Sequence, residues 1–136
     1  MKAKIRRIRF LKSQFKKIEK DAQKFAKLNG GELCGLILDN GVFFELIQLR
    51  NKTKRAGGFS FYFGEVRAIR KMAHLIEHEI VGTFHSHPVG LPAPGPSDLH
   101  NAVDDSIMLI YDVMGRSARL WYVKNQKARN LEFSLI

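Results

Sequence analysis

Residues 32–39 and 42–49 are two apolar segments, rich in Leu, Ile, Val and Phe, joined by Asn40-Gly41. Asn-Gly supplies the positive φ angles of a two-residue hairpin turn, so the pair predicts two antiparallel strands and commits the chain to a sheet. Ahead of them, Leu11, Phe15, Ile18, Ala22, Phe25 and Ala26 recur at the three-and-four spacing of a buried helix face. Ser13 is the expected N-cap of this helix, Gly30-Gly31 lie past its end, and a short strand over residues 5–10 precedes it. After the hairpin come a polar, glycine-ended loop over 51–58 and a strand candidate over 59–63. An amphipathic helix over 65–78, built on Val66, Ile69, Ala73 and Ile76, leads to a strand over 80–87. Residues 88–96 hold four prolines and two glycines and must form a loop. Gly95-Pro96-Ser97-Asp98 reads as a helix start, with proline at the first helical position and an acid in the positive end of the dipole, and predicts a short helix through Val103. Strands over 106–111, 120–124 and 131–135 finish the chain. No internal repeat or interdomain linker interrupts it. The expectation is one domain over residues 1–136, of α/β class, with a mixed sheet flanked by two or three helices.

Charge is concentrated at one end. Residues 1–28 hold 11 Lys/Arg against two acids, whereas residues 29–136 hold 12 against 11, which together give the net +10. Lys16, Lys17, Lys20, Lys24 and Lys27 fall opposite the apolar side of the first helix. A solvated face is the commoner reason for such a stripe, and no aromatic residues interleave it, so nucleic acid is not the expected partner. No apolar stretch approaches the ~18–20 residues that cross a bilayer, and the Lys/Arg-rich start lacks the apolar core of a secretion signal. A single cysteine, Cys34, excludes an intramolecular disulfide and a multi-cysteine zinc site, and fits a reducing compartment. The expected setting is the cytoplasm, and histidine and carboxylate must carry any metal.

The densest chemical signal is His85-Ser86-His87-Pro88, with Asp98 eleven residues after His87. Strand side chains alternate faces, so His85 and His87 point the same way and can close on one ion, with Asp98 supplying an oxygen from the next helix. Two histidines and one carboxylate leave a fourth tetrahedral position open, the arrangement of a catalytic zinc site. Such a site also needs a general base. A competing motif, His74-Leu75-Ile76-Glu77-His78, spells the H-x-x-E-H of another zinc-peptidase class. Its histidines fall near Arg67, Arg70 and Lys71, away from the buried side, and read as surface residues, as does His100. Cys34, on the strand face of Glu32, reads as core filler and Gly35 as a close-packing position.

These residues resemble a family. His85-Ser86-His87-Pro88 and Asp98, with Glu32 in Glu32-Leu33-Cys34-Gly35-Leu36-Ile37-Leu38, are similar to the JAMM (MPN+) metalloprotease motif: an upstream Glu, then His-Ser/Thr-His, seven residues, Ser, two residues and Asp. The resemblance runs over nearly the whole chain, including the loop from Asn51 to Phe59 and Phe61. It implies the mixed α/β MPN fold and hydrolysis of peptide or isopeptide bonds to ubiquitin-like or small sulfur-carrier-like proteins. It also implies one zinc ion per chain on His85, His87 and Asp98, with Glu32 as the base. One position departs from the pattern. Where the family places a serine that helps steady the oxyanion, this chain has Gly95, and loss of one such donor typically costs on the order of 100- to 1,000-fold in rate. Ser97 is two residues late. The alternative is therefore a weakly active or inactive MPN scaffold that binds protein partners.

Overall fold

A computed structural model describes residues 7–29, 31–53 and 58–136. Its elements are β1 (Arg9–Phe10), α1 (Lys12–Asn29), β2 (Cys34–Asp39), β3 (Phe44–Leu49), α2 (Phe63–Leu75), β4 (Glu79–His87), α3 (Pro96–Asn101), β5 (Ser106–Asp112), β6 (Ser117–Lys124), β7 (Lys127–Leu131) and β8 (Ser134–Leu135). The eight strands form one sheet in the order β7-β6-β5-β4-β2-β3-β1-β8. β4 runs parallel to β5 and antiparallel to β2, so the sheet is mixed, as expected.

Helix α1 buries Phe15, Ile18 and Ala22 against Phe10, Ile37, Phe44 and Phe84, while its six lysines stay exposed. Ser13 is not its N-cap. The Leu11 carbonyl already accepts the Phe15 amide at 2.9 Å, which starts the first turn two residues earlier. The end expected at Gly30 and the start of the strand expected over 5–10 lie outside the described residues. The β2–β3 connection spans residues 40–43, longer than the two-residue turn expected. Asn40 Oδ1 accepts the amides of Val42 and Phe43, both at 2.9 Å, and Asp39 Oδ1 accepts that of Gly41, so side-chain turn chemistry widens the loop.

Two further expectations are corrected. Residues 59–62 are not a strand: the Ser60 carbonyl bonds the Lys52 amide at 2.8 Å and the Ser60 amide bonds the Asn51 side chain, leaving no ladder to join. The segment over 131–135 is not one strand either, since β7 and β8 lie on opposite edges of the sheet, separated in sequence by residues 132 and 133 alone. Three residue steps span at most about 11 Å, so the sheet must curl until its edges nearly meet. Phe133 bridges the gap, its ring 5.5 Å from that of Phe10.

The curled sheet has α1 on one face. On the other, α2 packs through Val66, Ile69 and Ala73 on Leu36, Leu38 and Leu49, and α3 packs through Leu99 near Met108 and Ile110. Residues in register share a face: Gly35, Phe84 and Leu109 point to α1, and Cys34, His85 and Ile110 point to the side of α2 and α3. Gly35 is required by close approach, because a Cβ there would lie 2.1 Å from the Ile47 carbonyl oxygen and 2.4 Å from the Phe84 ring. Among the described residues no helix is long and apolar enough to cross a membrane.

Candidate metal centre

β4 ends on the sheet face that carries α2 and α3, and alternation along the strand puts both histidines on that face. His85 is buried and His87 partly so, with their Nε2 atoms 3.0 Å apart. The loop after β4 returns the chain to α3, whose N-cap is Gly95 and whose third residue is Asp98. Asp98 Oδ2 accepts the Gly95 amide at 2.9 Å, the capping role its position predicts, and also lies 3.4 Å from each histidine Nε2. The oxygen that caps α3 is thus the one that faces both imidazoles. Two imidazole nitrogens and a carboxylate oxygen around one tetrahedral zinc, each at ~2.0–2.1 Å, sit about 3.3 Å from one another. The separations of 3.0, 3.4 and 3.4 Å fit that triangle.

Each imidazole is oriented differently. His87 Nδ1 meets the Leu91 carbonyl at 2.8 Å, so it carries the hydrogen and leaves Nε2 with the lone pair. His85 Nδ1 is buried without a partner, and its ring is instead stacked on Phe59. Burial pulls the His87 pKa down, but the hydrogen bond to Asp98, the Leu91 carbonyl and the charges of Asp98 and Glu32 outweigh it, so the pKa lies above the ordinary histidine value. Burial pushes Asp98 up, yet hydrogen bonds from His85 and His87 hold it well below the usual carboxylate range.

Glu32 completes the cluster from the segment that enters β2, and the ligand atoms of Glu32, His85 and His87 lie within 4.8 Å of one another. The Ser86 backbone and hydroxyl hold Leu33, next in the chain, through bonds of 2.9 and 2.8 Å. Glu32 Oε2 accepts the Gly58 amide at 2.7 Å, while Oε1 is buried with no hydrogen-bond partner. A cleft of about 460 Å³ adjoins the site, lined by Glu32, His87, Asp98 and the Gly58, Leu91 and Gly95 segments, with Ser97 also on its wall.

Other candidates fall away from this centre. H-x-x-E-H is not a helical motif here, because α2 ends at Leu75 and Glu77 adopts a left-handed φ of 59°. His74 is exposed; His78 is half-buried rather than at the surface, 3.3 Å from Glu45. His100 is exposed on α3. Burial, reinforced by the charges of Glu32 and Glu65, pushes the Cys34 thiol up to about 12, which makes it core and no nucleophile. Trp121 does more than fill core: its indole donates to the Pro92 carbonyl at 2.9 Å and fastens the proline-rich loop to the sheet. Asn51, Gly58 and Phe59 join the site although the sequence marks them only as a polar, glycine-ended loop and an apolar alternation.

Fold and donor set together define a mixed α/β domain with a histidine–carboxylate cluster that could hold a metal ion at the end of its central strand. The model of the family described as prokaryotic homologs of the JAB domain matches residues 19–130, and the chain belongs to that family. The expected MPN fold is borne out by solved structures. Protein DSY2949 from Desulfitobacterium hafniense is 20% identical, with a TM-score of 0.80 over 95% of this chain and 92% of its own. AF2198, a JAB1/MPN domain protein from Archaeoglobus fulgidus, is 19% identical, with a TM-score of 0.58 over 96% of this chain and 99% of its own. A protein from Salinibacter ruber is 18% identical, with a TM-score of 0.63 over 95% and 91%. No curated protein matches the chain.

Proposed function

We propose that the protein is a zinc-dependent peptidase or isopeptidase that frees ubiquitin-like or small sulfur-carrier-like proteins from conjugates or fusions. The observation that carries this reading is Glu32 Oε1, a buried carboxylate oxygen without a hydrogen-bond partner, beside two histidines and Asp98 that fit a zinc ion. When bound, zinc polarises a carbonyl and lowers the pKa of water towards ~7. Glu32 then accepts a proton from the attacking water at Oε1 and delivers it to the departing amine, while the Gly58 amide keeps Oε2 in place. The water oxygen bonds the carbonyl carbon and the C–N bond breaks, giving an acid and an amine. Leu91 and Phe59 hold the two imidazoles. The adjoining cleft has the volume of a site for a short extended segment. The substrate class is what the JAMM resemblance implies, and a buried, inert thiol suits a reducing cytoplasm.

One observation favours a second reading. Gly95 stands at the α3 N-cap without a hydroxyl, as it would in an MPN scaffold that binds partners and no longer needs an oxyanion donor. Zinc quantification coupled to cleavage of a ubiquitin-like linear fusion, with and without chelator, separates the two. The peptidase reading expects one zinc per chain and chelator-sensitive cleavage. Folded, zinc-loaded protein that binds the fusion tightly and cuts nothing would establish the scaffold.

A further inference from the structure

One side chain, that of Asn51, makes four hydrogen bonds. Its Nδ2 donates to the carbonyls of Glu32 at 3.0 Å and Gly58 at 3.2 Å, and its Oδ1 accepts the amides of Thr53 at 2.9 Å and Ser60 at 3.2 Å. An asparagine has two donor hydrogens and two acceptor lone pairs, so this one is fully used. Its partners tie both ends of the 51–60 loop to the main chain of Glu32. Two adjacent loop residues reach the metal centre: Gly58, whose amide bonds Glu32 Oε2 at 2.7 Å, and Phe59, stacked on His85. Gly58 has a φ of +84°, so the backbone there is aimed in a conformation that other residues resist.

From this arrangement we infer that Asn51 is a positioning residue that keeps Glu32 a base and prevents it from becoming a ligand. A glutamate carboxylate turns readily about its last torsion. With ligand atoms of Glu32, His85 and His87 all within 4.8 Å of one another, a released carboxylate can swing onto the ion and close the position that the chemistry needs open. The Gly58 amide prevents this by occupying Oε2, and Asn51 holds Gly58 in place. The kinetic part of the inference rests on the peptidase reading; its structural part does not.

Asn51→Ala and Asn51→Asp test it in the full chain. The Asp variant keeps both Oδ1 bonds to Thr53 and Ser60 and loses both donor bonds, so a loop shaped by the Oδ1 bonds alone predicts wild-type behaviour, and positioning through the bonds to the Glu32 and Gly58 carbonyls predicts behaviour like Asn51→Ala. In chelator-treated wild type the Gly58 amide should exchange about 10-fold or more slowly than a free loop amide, with that protection lost in both variants. With zinc in excess, loading should stay at one per chain, while kcat on a fusion substrate falls about 10-fold or more and KM stays within about 2-fold. An unprotected Gly58 amide in the wild type, protection that survives in Asn51→Asp, or zinc lost from that variant would overturn the inference. If Asn51→Ala does not fold, Asn51→Asp and the wild-type amide decide. If the wild type cuts no fusion, the peptidase reading fails while the amide and zinc measurements still decide the role of Asn51.

Discussion

The ring of Phe59 lies on that of His85, with centroids 4.6 Å apart and planes inclined by 28°. Metal-binding histidines usually donate their second nitrogen to a carbonyl or carboxylate, and His87 does so to Leu91. His85 Nδ1 makes no such bond, so ring stacking is what sets its angle. Phe59→Ala should therefore weaken zinc binding by about 10-fold, at the lower end of what losing an outer partner costs, and Phe59→Tyr should restore it. Competition with a calibrated zinc chelator measures both.

Removal of a ligand should cost more. His85→Ala, His87→Ala and Asp98→Ala should each lower zinc affinity by about 100-fold or more, whereas His74→Ala and His78→Ala should leave it unchanged. Full occupancy in a His85/His87 double variant would end the assignment. Glu32→Gln is the contrasting case: zinc stays and hydrolysis falls by about 100- to 10,000-fold, because the shape remains and the proton acceptor is gone.

The pH dependence of the metal-free protein follows from His87 and Asp98. His87, raised from 6.5, binds its proton more tightly folded than unfolded, so its stabilisation is full below 6.5 and is lost as pH rises through the folded value. Asp98, lowered from 3.8, contributes above 3.8, and that contribution is lost as pH falls. Melting of chelator-treated protein should thus be highest between these limits, as thermal scans from about pH 3 to about pH 9 would show. Zinc competes with the His87 proton, so affinity should fall about tenfold per pH unit once pH drops below the folded His87 value.

Gly95 has an ordinary extended backbone, φ −81° and ψ 172°, and a Cβ there would meet only Asp98 Oδ2 at 3.7 Å. A serine fits without strain and is a good N-cap in its own right. Gly95→Ser should leave zinc content unchanged and raise turnover by about 10-fold, or about 1.4 kcal/mol of barrier. A folded, zinc-bound variant with unchanged turnover would show that a hydroxyl at this position contributes nothing here.

The parts of the site legible in the sequence are those that repeat a local geometry. His85 and His87 share a face because strands alternate, and Asp98 announces itself through the Gly-Pro helix start. Glu32 was legible only through its resemblance to a motif, since an acid entering a strand has no distinguishing period. Asn51 was not legible, because its four partners are main-chain groups that any sequence supplies. Phe59 and Phe61 mimic a strand by alternating, yet one side chain serves His85 and the other joins the α2 cluster. The break between β7 and β8 was hidden for a different reason: curling of the whole sheet, not any residue in 131–135, sends the two halves to opposite edges.

At Gly35, the Phe84 ring occupies the space where a side chain would begin, one residue from His85 on the ligand strand and three from Glu32 on the other. Growth at this seam displaces the reactive groups, so the seam is closed to mutational exploration. The walls of the cleft are not, since Val89 and Leu91 lie open to solvent. On the peptidase reading, a lineage that keeps the chemistry changes what it acts on by rewriting its loops, and homologues with divergent rims around an unaltered glycine seam are the expected record of that history.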